Sequence, residues 1–600
     1  MRFLSRVATA PLAGGLLTLL CWRVLHALTL PAANTSTVLW ALSTACTLLV
    51  LGAAAGALWW RRGWVSEAVL TLAPAGLIVT TLGIPLAVTK LYLDGVQVDQ
   101  SFRTQFLSRM TQSLGNHDMN FADLPSFYPV GWFWLGGRLA NLLGLAGWEA
   151  FQPWALVSLA AAASALVPVW QRITGSLPTA AVIAFATTAV ILAEAPYEPY
   201  AAIVAMFAPA AAAVAFRAAS GSWPATAALA VYLGVSATFY TLFTALSALT
   251  VIVASLIVFF SAGRKLTPLV HLVAAGAGAA LIALLSWGPY LLERAFGGYD
   301  ARSTANHYLP DDGTVFPLPF HSVPIALLAL VGVAYLIRRS HTAAARGLTV
   351  ALAVCFVWCF ASMVTPLLGT SLLGFRVAIV VDLLFVTAGV LGLREVGSWR
   401  GWLASTAAIA AAVGVFAYAQ DIPRASEDPI KQAYSATDGN GERADRQDPD
   451  DEQYYPAIVD YLQRRGYEPG QAVVSTDEVH FLSYNPYYGF NGMTSHYSNP
   501  LAEFSQRSDL ISAWGETSYD DPGALTDEVD SAPWRAPDAF IFRAEEDDEG
   551  AETWQTHVSY DIFPNLPNVK YVAVDFNPAA FDTSEWDHDK IGPFVVVARK

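Results

Sequence analysis

The chain predicts a polytopic α-helical membrane domain followed by a water-soluble α/β domain, on three observations. Apolar residues make up 54% of the 600 residues and charged residues only 14%. The charge is unevenly placed: residues 420–600 hold 13 Lys/Arg against 35 Asp/Glu, net −22, and residues 1–419 hold the remaining 21 and 14, net +7. Long apolar runs recur through the first region and stop near Tyr418. Such asymmetry places the two regions in two solvents. The acidic soluble region disfavours nucleic acid as a partner, because phosphate backbones are bound by Lys and Arg.

A bilayer core requires about 20 mostly apolar residues per helix. Thirteen stretches qualify: 8–30, 36–59, 66–91, 152–171, 178–193, 199–217, 224–240, 242–261, 268–291, 323–338, 346–364, 371–392 and 401–419. The short ones, 178–193 and 224–240, also read as half-helices, a margin of about two. The basic start MRFLSR followed by an apolar run resembles a signal peptide, but the run continues to about Leu30 and another follows, so an uncleaved first span is expected. Basic residues mark cytoplasmic loops. Arg2 and Arg6, Arg61 and Arg62, Arg172, Arg217, Arg264 and Lys265, Arg338, Arg339 and Arg346, then Arg394 and Arg400 fall on one side with this count. The external side of a plasma membrane then receives the loop 92–151 and the C-terminal region, provided 129–147 lies at the interface as a helix.

After Tyr418 the polar, Pro/Gly-rich segment 420–453 reads as a linker or mobile loop. From 454 to 600 order returns. YYPAIVDYLQRRGYE has helical spacing, and QAVVST, PDAFIFR, VKYVAVDF and PFVVVAR read as strands. The four cysteines all sit in apolar runs. Cys355 and Cys359, without an accompanying His or carboxylate, read as packing residues rather than metal ligands.

The chemistry concentrates in the loop after the third span, LYLDGVQVDQSFRTQFLSRMTQSLGNHDMNFADLPSFYPVGWFW. It carries Asp94, Asp99, Asp118 and Asp123, then Arg103, Arg109 and His117, backed by Phe127, Tyr128, Trp132 and Trp134. Carboxylates move protons, guanidiniums grip phosphate bidentately, and aromatic faces hold lipid or sugar. Asp99 is the candidate base, placed to deprotonate an acceptor hydroxyl beside a lipid phosphate. It reads equally as the cap of SFRTQFLSRMTQSL. Asp118, in NHDMNF, is the second candidate carboxylate or an ordinary Asx turn. Arg103, Arg109 and His117 are phosphate candidates, with a solvated helix face the better reading of Arg109.

Farther along, TPLLGTSLLGFRVAIVVDLLF places Arg376 and Asp382 in or near the hydrocarbon, where ionisable groups are functional candidates by default. Arg376 is the second donor-phosphate candidate, with a structural ion pair as the alternative. Glu194 and Glu198, in AEAPYEPY, line the site or are loop residues. Asp311 and Asp312, in the lid-like loop 292–322, form a weak metal-ligand pair. In the soluble domain SYNPYYGFNGMTSHYSNP, dense in Tyr, Asn and His, suits acceptor sugar, and Tyr487, Tyr488 and Asn491 join Tyr128 and Trp132 as acceptor candidates. Turn formation explains the same composition. No Rossmann, Walker or HExxH motif appears.

At VDQSFRTQFLSRM and NHDMNFADLPSFYPVGWFWLGGR the sequence resembles the galactan arabinofuranosyltransferases of mycobacterial and corynebacterial cell walls, membrane enzymes of GT-C type. FYPxGWFWxGGR is the most specific part. The resemblance extends along the whole chain. It implies decaprenylphosphoryl-arabinose as donor, lipid-linked galactan as acceptor, transfer to O5 of galactofuranose with inversion, and neither nucleotide sugar nor obligatory metal or other cofactor. By the superfamily pattern Asp99 takes the catalytic place. Gln100 stands where many relatives carry a second acid, which leaves Asp118 as the possible partner. A polyprenyl-phosphate mannosyltransferase and a lipid-linked glycan transporter are the competing functions. A transporter would show paired halves with broken helices, which the sequence lacks.

Overall fold

The computed structural model describes residues 2–60, 63–97, 99–396, 402–546 and 552–600. Arg61, Arg62 and Arg400 of the basic loops lie outside the described residues. Helices α1 (Arg2–Ala27), α2 (Val38–Trp60) and α3 (Gly63–Ile78) open the membrane domain, and α3 widens into a π-helical turn over Val79–Gly83. Helices α4 (Asp99–Gln112) and α5 (Gly131–Leu143) follow. The run then continues with α6 (Gly147–Thr174), α7 (Leu177–Glu194), α8 (Pro199–Ala219), α9 (Trp223–Ala237), α10 (Thr241–Ser261), α11 (Thr267–Phe296), α12 (Val323–Arg338), α13 (Ala343–Val364), α14 (Ala378–Val396) and α15 (Trp402–Ala425). Ten helical segments among the described residues are long and apolar enough to cross a membrane, and α9 and α12 are shorter apolar helices. The protein is a membrane-embedded helical bundle.

Three details position the site. The span expected over 66–91 ends at Gly83, and residues 84–97 run as turns. Their exposed carbonyls would be costly where no water reaches them. The buried Gln152 amide of α6 answers them, donating to the carbonyls of Leu86 (3.2 Å), Thr89 (2.8 Å) and Leu91 (2.8 Å). Helix α5 has 13 residues, roughly 20 Å of rise, short of a hydrocarbon core of about 30 Å. Small residues let the bundle close. A Cβ on Gly347 of α13 would meet the Ala212 carbonyl of α8 at 1.8 Å, the close approach that small residues permit between membrane helices.

One end of the bundle gathers the basic residues. Arg217 donates to the Ile173 carbonyl (3.4 Å), Arg394 to the Thr174 carbonyl (3.0 Å), and Arg339 pairs with Glu395 (2.5 Å). The turns joining α7 to α8, α11 to α12 and α13 to α14 lie at the other end.

The C-terminal region holds α16 (Glu427–Ser435), α17 (Tyr455–Gln463), α18 (Val479–Tyr484), α19 (Phe504–Asp520) and α20 (Leu525–Asp530) around one sheet. Its strands are β1 (Val473–Ser475), β2 (Tyr488–Gly489), β3 (Ala539–Glu546), β4 (Glu552–Asp561), β5 (Val569–Phe576), β6 (Trp586–Ile591) and β7 (Phe594–Arg599). β1 lies parallel to β2 and β3, and the other pairings are antiparallel. β3 is the hub, with β1 and β4 sharing one edge and β7 on the other. Sequence patterning misses β2, β4 and β6.

The expected linker 420–453 is a folded, docked segment. Ile430, Ala433 and Tyr434 are buried. The Ala433 carbonyl accepts from Thr89 (2.6 Å), the Tyr434 hydroxyl donates to the Pro85 carbonyl (2.8 Å), and the Pro429 carbonyl accepts from the Asp94 amide (3.0 Å). The segment reads as polar in sequence because Asp438, Arg443 and Asp445 are spent on its own turns, while the Pro429 and Ala433 carbonyls and the Tyr434 hydroxyl dock it on 84–97.

Candidate active site

Asp99 is the first residue of α4, and Arg103 stands one turn later on the same face. Helix α4 is short and polar yet buried on most sides, because α5 and α6 pack on it and the C-terminal domain covers it. Ser108 donates to the Ser483 carbonyl, Ser483 to the Ser101 carbonyl (both 2.8 Å), and Arg109 to the Tyr487 carbonyl (2.7 Å). Glu198 occupies the position before α8, whose start Pro199 sets by its fixed φ. Arg376 comes from the 3₁₀ turn Gly374–Val377 ahead of α14. Leu373 leads into that turn at φ 50°, a left-handed conformation that costs on the order of 1–3 kcal/mol and persists only where the surroundings enforce it.

These four residues form one ionic cluster. A single oxygen of Glu198 accepts from Arg103 and from Arg376, each at 2.5 Å. Asp99 pairs with Arg103 at 3.2 Å and lies 3.8 Å from Arg376. Two carboxylates balance two guanidiniums, so the cluster is neutral. The members differ in access: side-chain exposure rises from 8% for Arg103 to 15% for Glu198, 24% for Arg376 and 34% for Asp99.

Tyrosines enclose the cluster. Arg103 Nε donates to the Tyr200 hydroxyl (3.2 Å), and Tyr128 donates to the same hydroxyl (3.1 Å). Tyr240 bonds to Arg376. Tyr497, from the C-terminal domain, bonds Asp99 and stacks on Phe102 with ring centroids 4.1 Å apart. Burial alone would push the Glu198 carboxyl up, but Arg376 and Arg103 outweigh it and hold it below the usual carboxylate range. Burial, then the Asp99 charge, pushes the Tyr497 phenol well up, so it remains a hydrogen-bond donor.

The structure thus brings together Asp99, Arg103 and Arg376, with Tyr128 among the tyrosines around them. Asp118 is buried and saturated: Oδ1 accepts from the Asn120 and Phe121 amides (both 3.0 Å) and Oδ2 from Asn499 (2.9 Å). It is an Asx turn that pins the loop to the C-terminal domain, not a second catalytic carboxylate. Trp132 is 0% exposed, packed among Phe133, Phe151 and Trp154, with its indole N–H on Ser158. It belongs to the core and offers no face to a sugar. Tyr487 is equally buried, and its hydroxyl donates to the Tyr467 carbonyl (3.0 Å). The buried Asn491 amide is spent on the Phe504 carbonyl, Ser508 and the Gly492 amide. Arg109 is buried, not solvated, and lies 3.6 Å over the Tyr488 ring.

His117 lies beyond the far end of α4 from Asp99, a helix of 14 residues or roughly 20 Å, which takes it away from Arg103. With Asn116, Asp123, Gln471, Tyr488 and Arg535 it lines a polar cavity of about 550 Å³ between the 113–125 loop and the C-terminal domain. Asp311 and Asp312 are exposed on a 3₁₀ turn. Sequence reasoning left Glu198 open and missed Tyr200, Tyr240 and Tyr497. The Glu-Pro pair opening an apolar helix was the one available signal for Glu198. Tyr200 and Tyr497 lie in the segments AEAPYEPY and SYNPYYGFNGMTSHYSNP, but nothing local marks them as partners of Asp99 and Arg103, and Tyr240 carries no signal.

The chain matches two family models, "Arabinofuranosyltransferase N terminal" over residues 6–419 and "Arabinofuranosyltransferase A C terminal" over 422–599. It is similar to a galactan 5-O-arabinofuranosyltransferase of Corynebacterium glutamicum, 49% identical over 544 residues, 88% of this chain and 82% of the relative. It is also similar to proteins of the same name from Mycolicibacterium smegmatis, 39% identical over 95% of this chain and 93% of the relative, and from Mycobacterium tuberculosis, 37% identical over 95% and 91%.

Proposed function

The chain belongs to the arabinofuranosyltransferase family of GT-C membrane enzymes, and on that premise we propose that it moves arabinofuranose from decaprenylphosphoryl-arabinose to O5 of galactofuranose in lipid-linked galactan. The relatives' common name favours this over a mannosyl donor or a transport role. The site is read as external to the plasma membrane, since the basic residues gather at the opposite end of the bundle.

Asp99 is the proposed base. In direct displacement the acceptor hydroxyl loses its proton as it attacks the anomeric carbon, while the lipid phosphate leaves as a stable anion and needs no acid. One carboxylate suffices. Glu198 is a poor candidate because two guanidiniums keep its carboxyl depressed, and a weak base takes a proton reluctantly. Asp99 is the more accessible of the two. Arg376 is the proposed phosphate ligand. Arg103 has a partner on each of its three nitrogens, so it holds both carboxylates in place. Tyr128 and Tyr488 remain as acceptor contacts. Tyr488 lines the polar cavity that His117 shares, and a polymeric acceptor extends that far.

The observation that carries the reading is a partly exposed carboxylate set against two guanidiniums at the end of the bundle opposite the basic loops. Membrane fractions given labelled decaprenylphosphoryl-arabinose and a galactan oligosaccharide test it. Label should enter the acceptor with wild type and not with Asp99→Asn. Transfer from a mannosyl donor but not from the arabinosyl one would replace the proposal.

A further inference from the structure

We propose that Glu194, His321 and Asp382 form a binding site for a divalent transition-metal ion. Glu194 ends α7, His321 lies in the loop before α12, and Asp382 sits in the second turn of α14. One ligand atom of each lies within 4.8 Å of the others. A tetrahedral ion holding N and O donors at about 2.0–2.2 Å keeps them roughly 3.4 Å apart, so small rotamer changes close the set. The donors are an imidazole and two carboxylates, a combination suited to Zn²⁺ or Mn²⁺.

Two further observations point to a ligand. Glu194 and Asp382 are in hydrogen-bond contact with each other, and Asp382 is buried. Two carboxylates side by side in a low-dielectric bundle do not both stay charged without a cation or proton between them. His321 stands on the same spot, its Nε2 3.1 Å from Glu194. An ion would engage all three groups at once. The Tyr418 hydroxyl, buried and without a hydrogen-bond partner among the described residues, is close enough to interact with both acids. It is placed to orient a ligating carboxylate from outside, as such sites require. The His321 side chain is 48% exposed, which gives an ion a way in.

Such an ion would tie together the two elements that carry the ionic cluster. Glu194 precedes Glu198 by four residues in AEAPYEPY, and Arg376 precedes Asp382 by six at the start of α14. Its occupancy would hold Glu198 and Arg376 in register. It is a positioning site, and its existence does not depend on which sugar is transferred.

The test uses the full chain in detergent, stripped with EDTA and titrated with Mn²⁺ followed by electron paramagnetic resonance, with Zn²⁺ content measured in parallel. About one Mn²⁺ should bind per chain, at least about tenfold more weakly in His321→Gln and in Asp382→Asn, and Mn²⁺ should raise the Tm of the wild type only. If Asp382→Asn does not fold, His321→Gln decides, since that side chain is on an accessible loop. Absence of stoichiometric metal in the wild type, or equal binding by His321→Gln, overturns the proposal in favour of a proton shared by the two acids.

Discussion

Asp99 and Glu198 contact the same guanidinium yet are assigned opposite tasks, and each task has a measurable signature. Asp99→Asn preserves size and removes the base, so kcat should fall by about 10²–10⁴ with thermal stability unchanged. Near-normal turnover would remove Asp99 as base. Arg376→Ala should raise the donor KM by roughly 10- to 150-fold, the loss of a charge-assisted bond of about 1.5–3 kcal/mol, with little change in acceptor KM. An unchanged donor KM would take Arg376 out of the phosphate site.

Glu198 should show itself in stability. Its folded carboxyl titrates below the unfolded value, which is about 4.3. Its stabilisation is therefore complete above that pH and is lost as pH falls through the folded pKa. Glu198→Gln should cost about 3–5 kcal/mol at pH 7, the scale for breaking a buried pair, and progressively less as the medium is acidified below pH ~4. Thermal unfolding in detergent across that range reads it. A penalty independent of pH would show that the ionic pairing contributes nothing.

At the scale of elements, the FYPxGWFWxGGR motif turns out to be a packing device. A Cβ on Gly131 would meet the Thr238 hydroxyl at 2.4 Å, and one on Gly137 would meet the Met110 carbonyl at 2.4 Å. Gly137 brings α5 onto the backbone of α4, the helix that carries Asp99 and Arg103, and Gly131 brings the start of α5 onto the end of α9. Arg138 then donates to the Met110 and Ser113 carbonyls at the end of α4. Gly137→Ala forces those backbones apart, since a carbonyl cannot swing aside as a side-chain tip does. It should cost about 1–3 kcal/mol and lower kcat without touching substrate. A variant with unchanged Tm and turnover would show that α4 tolerates the shift.

For the whole molecule, the proposed sidedness places the polar loops and the C-terminal domain together. Leu114→Cys and Asp521→Cys, both at exposed positions, should react with an impermeant maleimide on intact cells, and Arg264→Cys at the basic end should not. Labelling of only one of the first pair would break that arrangement. The same test bears on the 420–453 segment, which holds the domain against residues 84–97 and so against α4.

Local signals were enough for what depends on solvent and periodicity. Apolar runs marked the membrane helices, the charge asymmetry separated the soluble domain, and the acidic-basic pair Asp99 and Arg103 was legible because i,i+4 residues share a helix face. Arg376 stood out as a charge in an apolar run. What could not be read is which polar residues face each other across the chain. Asp118 and Asp99 are the same residue type in the same loop, but one is consumed by backbone amides and Asn499 while the other stays partly exposed. Trp132, Tyr487 and Asn491 have the composition of a sugar site and are core. Tyr497, ten residues beyond Tyr487, is the one that reaches Asp99. The difference lies in contacts between residues hundreds of positions apart, which close only when α4, the turn before α8, the turn before α14 and the C-terminal domain pack together.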